Sequence, residues 1–403
     1  MARYDYLLVG GGVASVSACK SIREVDKTSS IAIVTSEKTP PVDRPPLSKQ
    51  LLLNDAMTRE DVESVDRSFY RNNKIDLITE HPAAMLDTAE KVVVTSEGKV
   101  IYYEKLLIAT GLSARTIKVP GNRLAGIHTL RSVADAFEFR EALKRNSNLV
   151  IVGGGFLGVE VAAVALARGL QTTLVVKSAR LLEGFGSNAF AEAVHDHLTS
   201  LGAQIIYGDE AVFFAGSKML RSVHTAKGVE IPTGLALIAV GGTLNTEWLI
   251  GSGLLLTEEG GVPVDHHLRT ALSSIWAAGD VASLNGVRLE HYLNAKWQGL
   301  HAGLSMTGSK KSYDQVAYVY TDIGDLHVNG RGNVGSGTPA YTLEGSQDGL
   351  RIEVYADEIG NVCGVLSWST SDPLLDRVSQ AAETVIERDL PAEVLCIEDF
   401  TDY

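Results

Sequence analysis

Along residues 4–18 the apolar run Leu7-Leu8-Val9 stops at three glycines, and small residues then recur at helical spacing. This pattern predicts a strand, a tight turn and a helix. The same pattern returns at 148–160, where Leu149-Val150-Ile151-Val152 runs into Gly153-Gly154-Gly155 and a helix opens at Phe156. Each is followed by a second apolar strand, one at 30–36 ending beside Glu37 and one at 171–177 ending at Lys177. Three more buried strands close on small residues: 105–111 on Ala109-Thr110-Gly111, 234–242 on Gly241, and 268–280 on Ala277-Ala278-Gly279-Asp280. Residues 91–100 alternate like a hairpin around Glu97-Gly98, and 51–73 are polar with a helical period. Buried strands alternating with helices predict an α/β fold built on parallel sheets.

The glycines carry chemistry as well as a turn. Gly10 lets the chain reverse sharply, and Gly12 removes the Cβ that would keep a pyrophosphate from the N–H groups opening the helix. Ser15 takes the third small position, where helix and strand approach closely. Glu37 stands where a carboxylate hydrogen-bonds ribose hydroxyls, although a solvated turn charge is the alternative. The second turn has all three fingerprint glycines, Gly153, Gly155 and Gly158. Two such cradles in one chain are far more specific than one. At the end of the second ribose strand the acid is missing, and Lys177 stands there with Ser178 and Arg180 behind it. Cations there suit a 2′-phosphate, so NADPH is expected over NADH; the alternative is that they face solvent beside a site served by other groups. Prolines at 40, 41, 45 and 46 forbid regular helix or sheet there and stiffen a loop that carries Arg44 and Lys49 past the first ribose strand. Asp280 can accept from a polyol, cap the next helix, or both.

Composition narrows the classes. A chain of 403 residues, 45% hydrophobic and 21% charged, is expected to form two or three globular domains. No apolar run approaches the roughly 18 residues that span a bilayer, and no charged-then-apolar leader opens the chain, so a cytoplasmic protein without membrane insertion is expected. Cys19, Cys363 and Cys396 lie far apart with no metal-ligand or Cys-x-x-Cys spacing, so neither a redox disulfide nor a metal site is expected. The net charge of −13 argues against nucleic acid as a partner. Residues 344–403 hold fourteen Asp or Glu against three Arg and no Lys, a net −11 that makes the C-terminal region the acidic pole.

The chain resembles the FAD-dependent pyridine-nucleotide reductases of the ferredoxin reductase and apoptosis-inducing factor group. The matching motifs are the two glycine turns, Arg44-Pro-Pro-Leu-Ser-Lys49, Ala109-Thr110-Gly111 with Arg115, Trp276-Ala-Ala-Gly-Asp280, and the 288–299 run containing His291. The resemblance implies two Rossmann-like dinucleotide-binding domains plus a small α+β C-terminal domain. It places an FAD domain at 1–114 and 238–316, an NAD(P) domain at 115–237, and the third domain at 317–403. It implies that Glu37 holds the adenosine ribose, that Arg44 and Arg115 lie near the phosphates or flavin, and that Gly279 and Asp280 serve the ribityl and pyrophosphate region. Gly241 and His291 are likewise implied at the cofactor. Lys49 and Glu160 would act as the catalytic ion pair beside the flavin, with Phe156 covering the nicotinamide pocket. Tyr320-Thr321-Asp322 replaces the group's Trp-Ser-Asp, so Tyr320 would be the aromatic cover of the flavin. No cysteine lies between Glu37 and Lys49, unlike the disulfide and peroxidase branches. Electrons from NAD(P)H would therefore leave FAD for an external acceptor, expected to be a ferredoxin-type iron–sulfur protein. A quinone or other small molecule is the alternative acceptor, and a redox-responsive interaction protein like the apoptosis-inducing factors is a third reading. The oligomeric state, monomer or homodimer, stays open.

Overall fold

Residues of alternate parity in the first strand feed opposite cores. Tyr6 and Leu8 join one buried cluster, with Ile31, Ile33 and Leu107, while Leu7 and Val9 join another, with Ala32, Val34, Leu106 and Ile108. A strand covered on both faces reads as a continuous apolar run, which is why these segments show no alternation in sequence. The computed structural model describes residues 2–335, 338–345, 348–392 and 395–401. The chain divides into two compact units.

The first unit takes residues up to Leu47, then Ala56–Ser113 and Gly242–Gln315. Ala2–Val9 sits at the centre of its sheet, parallel to Ile31–Val34 on one side and Val100–Ile108 on the other. Ile75–Ile78 extends the sheet beyond Ile31–Val34. The end of Val100–Ile108 pairs in parallel with Ile275–Ala277, while its start pairs antiparallel with Val92–Thr95, the hairpin expected around Gly98. These parallel strands end on one edge, and the first glycine turn leaves from the middle of it. Open α/β sheets bind ligands at such an edge, where the strand order switches direction. Helix Val13–Val25 leaves the turn and packs against Tyr292–Met306. An added Cβ on Gly299 would lie 2.2 Å from the Ala14 carbonyl oxygen, and one on Gly303 2.5 Å from that of Ala18. The two helices touch backbone to backbone because both faces are small.

The second unit takes Ser48–Asp55, Ala114–Gly241 and the chain from Val316 onward. Its parallel sheet runs Gln204–Tyr207, Gln171–Val176, Asn148–Val152, Ala236–Ile238, Ile127–His128. A second, antiparallel sheet runs Tyr318–Ile323, Leu326–Gly332, Val362–Ser369, Arg351–Ala356, Tyr341–Glu344. Helix Asp372–Glu387 supplies Leu374, Leu375, Val378 and Ala382 to the core beneath that sheet.

Three local expectations are corrected. Residues 51–73 form no single helix: Gln50–Leu53 and Arg67–Asn72 are short helices flanking a 3₁₀ turn at Glu60–Val62. The Asp66 side chain accepts from the Ser68 N–H and starts the second helix afresh. The proline loop is not wholly irregular, since Pro45–Ser48 forms one 3₁₀ turn, which the fixed φ of proline permits. Asp280 is followed not by a helix but by strand Ala282–Leu284, and the next helix, Tyr292–Met306, takes His291 as its N-cap.

Candidate cofactor site

At the first glycine turn, neighbouring glycines are needed for different reasons, one for conformation and one for space. Gly10 has φ +136°, and a Cβ there would stand 1.9 Å from the Ala109 carbonyl oxygen. It must be glycine for the turn and for the approach of the next strand. Gly12 has an ordinary extended backbone, φ −116°, and nothing lies within 4 Å of an added Cβ. The helix it opens has no side-chain cap and no acid in its first turn. Orphan N–H groups therefore face open space, which is what an anion needs. Ser15 is fully buried, and its Oγ has no hydrogen-bond partner among the described residues.

The same sheet edge carries the other predicted residues of this unit. Glu37 Oε1 accepts from Arg44 Nη2 at 3.0 Å, while Glu37 Oε2 is buried with no hydrogen-bond partner among the described residues. A buried acceptor left unmade is costly, and a ribose hydroxyl would satisfy it. The small residues at 109–111 are held by a residue that sequence reasoning missed. Thr110 Oγ1 donates to the Asn245 carbonyl at 2.6 Å, and Asn245 Nδ2 returns a bond to the Thr110 carbonyl at 3.1 Å. Gly279, at φ +80°, donates its N–H to Gln298 Oε1 at 2.8 Å, and Arg288 Nη1 donates to the Asp280 carbonyl at 3.0 Å. His291 is the N-cap of helix Tyr292–Met306; its Nδ1 accepts from the Leu293 N–H at 3.4 Å.

In the second unit the predicted ion pair is present and is larger than a pair. Glu160 Oε1 accepts from Lys49 Nζ at 2.8 Å and from Thr321 Oγ1 at 2.5 Å, and Oε2 accepts from Ser48 Oγ at 2.5 Å. All four residues are buried. A buried carboxylate facing one cation and two hydroxyls has its lone pairs used, the condition under which a buried charge persists. The segment carrying Ser48 and Lys49 is tied down by Arg140, which donates to the Asn54 carbonyl at 3.1 Å, and by Arg168, which donates to the Leu52 carbonyl. Neither Ser48 nor Thr321 announces this role in sequence.

The second glycine turn repeats the first. A Cβ on Gly153, φ +121°, would stand 2.2 Å from the Ala239 carbonyl oxygen, and one on Gly158 2.5 Å from that of Gly153. Gly155 has nothing within 4 Å, and helix Phe156–Ala167 begins on it with no side-chain cap. Phe156 is half-buried and starts an aromatic series, its ring 5.3 Å from Phe185, which is 5.8 Å from Phe190, which is 5.5 Å from Trp368. Arg115 donates its backbone N–H to the Gly241 carbonyl at 2.9 Å, and the Tyr320 ring lies 5.9 Å from Tyr318. Lys177 is exposed and meets Glu210 Oε2 at 2.7 Å, so it is not a free cation. Arg180 keeps a buried Nε with no hydrogen-bond partner among the described residues.

Residues 4–299 match the pyridine nucleotide-disulphide oxidoreductase family. The chain belongs to that family. It is 30% identical to the ferredoxin–NAD(+) reductase subunit of the benzene 1,2-dioxygenase system of Pseudomonas putida, over 84% of this chain and 83% of that one. It is also 30% identical to rubredoxin–NAD(+) reductase of Pseudomonas putida, over 81% of this chain and 86% of that one. Among solved structures, the ferredoxin reductase for the CYP199A2 system from Rhodopseudomonas palustris superposes with a TM-score of 0.86 at 25% identity, covering 96% of this chain and 98% of that one.

Membership in this oxidoreductase family implies FAD and a nicotinamide dinucleotide. The residues fit both: two uncapped helix starts open onto empty ground at Gly12 and Gly155, and Glu37 Oε2 awaits a donor. The disulphide of the family's name has no counterpart in the loop after Glu37. Cys19, nearest the first turn, is fully buried, and burial pushes its thiol up to about 12, so no thiolate forms there. Among the described residues no helix is long and apolar enough to cross a membrane.

Proposed function

We propose that this chain is an FAD-dependent reductase that takes electrons from a nicotinamide dinucleotide and delivers them to a ferredoxin-type iron–sulfur protein. The observation that carries the reading is the pair of glycine cradles, each with open space over an uncapped helix start. FAD, when bound, supplies the conversion of a two-electron donor into single-electron delivery. Gly10, Gly12 and Ser15 hold its pyrophosphate, Glu37 its ribose, and Arg44, Arg115, Asp280 and His291 its remaining polar edge. Lys49 and Glu160 fix one compensated charge pair beside it, Phe156 closes the nicotinamide pocket, and Tyr320 takes the aromatic position. The nicotinamide dinucleotide lies on Gly153, Gly155 and Gly158. The three-domain division at 1–114 with 238–316, 115–237 and 317–403 belongs to the same proposal; the separate parallel and antiparallel sheets of the second unit support it. Because Lys177 is already paired with Glu210, of the two cations expected at this strand end Arg180 alone is left to favour a 2′-phosphate, so NADH is the expected donor. The names of the relatives point the same way.

Anaerobic titration tests the reading. NADH bleaches the yellow holoprotein, and added ferredoxin restores its colour within the turnover time. Bleaching without reoxidation by any iron–sulfur protein, but with fast reoxidation by a quinone, overturns the protein acceptor.

The acidic pole gives a further prediction. Two acidic surfaces repel, and screening relieves the repulsion. With an acidic ferredoxin that meets this pole, electron-transfer rates therefore rise with ionic strength, and rise again when exposed Glu398 and Asp399 are neutralised, whereas no response to either leaves the pole a solubility role. Rates that fall in both experiments mean that the pole attracts a basic partner. Glu393 and Asp402 of the same pole lie outside the described residues.

A further inference from the structure

The end of the second ribose strand lacks its carboxylate, yet a carboxylate stands there. Strands Gln171–Val176 and Gln204–Tyr207 are parallel, with Val176 opposite Tyr207. Beyond the last rung the strand ends stay tied: Gly208 donates its N–H to the Ser178 carbonyl at 3.1 Å, and Asp209 to that of Val176 at 3.2 Å. The two residues that follow are thereby set side by side, and Glu210 Oε2 lies 2.7 Å from Lys177 Nζ. Asp209 is not the acid in question: it is buried, its Oδ1 accepts from the N–H groups of Glu210 and Lys227, and its buried Oδ2, without a hydrogen-bond partner in the geometry of the described residues, lies toward the Thr225 hydroxyl rather than the surface. Those bonds instead fix the backbone from which Glu210 projects.

We infer that Glu210 acts as the ribose carboxylate of this site and sets the choice between NADH and NADPH. The inference rests on the second cradle being the nicotinamide-dinucleotide site. The pair is not needed for stability: its side chains are 79% and 49% exposed, and exposed pairs contribute about 0–1 kcal/mol. Its effect is on the ligand. A 2′-hydroxyl donates to the carboxylate, while a 2′-phosphate meets a like charge and finds Lys177 already occupied. Removing Glu210 frees the Lys177 ammonium, three positions before Arg180 in the chain, whose buried Nε has no partner among the described residues, and this converts the strand end into a phosphate site.

The test uses wild-type holoprotein, Glu210→Gln, Lys177→Gln and the double variant, titrated calorimetrically with 2′,5′-ADP and with 5′-AMP. Glu210→Gln tightens 2′,5′-ADP by about tenfold, roughly 1.4 kcal/mol, without tightening 5′-AMP, and Lys177→Gln in the same chain removes the gain. The ratio of kcat/KM for NADPH over NADH rises in parallel. If Glu210→Gln alters both fragments equally or neither, Glu210 does not read the 2′ position and the inference is overturned. If neither fragment binds any of the four proteins, the second cradle itself is misread, and the failure lies with the proposed function.

Discussion

Gly12→Val is expected to give a folded protein that is colourless as purified and binds FAD at least about a hundredfold more weakly, a loss of roughly 2.7 kcal/mol. Two facts separate this change from a folding defect. The backbone at Gly12, φ −116° and ψ 179°, is one that valine adopts readily, and an added Cβ meets nothing within 4 Å. The cost to the helix is that of a poorer N-cap, about 1 kcal/mol. The cost to the cradle is that the isopropyl group fills the ground where a phosphate meets the helix N–H groups. Gly10→Val makes the contrast, since its Cβ must enter the Ala109 carbonyl at positive φ and destabilise the fold itself. Gly155→Val, at φ −82°, is the counterpart in the second unit: a yellow protein that NADH no longer bleaches. Visible absorbance, a thermal melt and an anaerobic titration check all three. A yellow Gly12→Val protein with wild-type FAD affinity would place the pyrophosphate elsewhere.

Disrupting the Glu160 cluster should have the largest effect on stability. Glu160→Leu leaves the Lys49 ammonium buried against two hydroxyls, and Lys49→Met leaves the Glu160 carboxylate with hydroxyl donors alone. Breaking one side of a buried pair costs about 3–5 kcal/mol, whereas replacing both sides by apolar groups of similar volume is often nearly neutral. The double variant is therefore expected to be more stable than either single one, measured as urea midpoints on protein stripped of FAD. Thr321→Val removes a hydroxyl that donates to the buried carboxylate and costs about 1.5–3 kcal/mol. Strict additivity of the two large changes would mean that the charges do not depend on one another.

What can be read in the chain is local. The glycine turns follow from an apolar run meeting glycines, and the structure separates their roles, with Gly10 and Gly153 there for conformation and Gly12 and Gly155 for access. Lys49 and Glu160 come from resemblance rather than from spacing, because 111 positions separate them. Ser48, Thr321, Asn245 and Gln298 escape a reading of the sequence for a physical reason. Each is a common polar residue whose partner lies on a distant segment, so no window along the chain contains the pattern. Lys177 reads as a free cation because its carboxylate, Glu210, follows the neighbouring strand. The 51–73 stretch fails differently: its helical period is real, but Asp66 offers the backbone a fresh start that periodicity does not weigh.

The close contact of helix Val13–Val25 with Tyr292–Met306 also sets a clock. The first cradle leaves the ribosome long before its support does, since Ala14 and Ala18 bury their faces against Gly299 and Gly303, and the strand edge at Leu106 waits for Ile275. At elongation rates of about 5–20 residues per second, the roughly 280 residues between them take about 14–56 s to appear. During that interval Cys19 and Ile22 can already pack with Tyr6, Leu8, Ile31 and Ile33, but the small face at Ala14 and Ala18, beside the phosphate cradle, has no helix to close against. Flavin capture is therefore a late event in biosynthesis, and nascent chains stalled before Gly299 should depend on chaperones and carry no flavin.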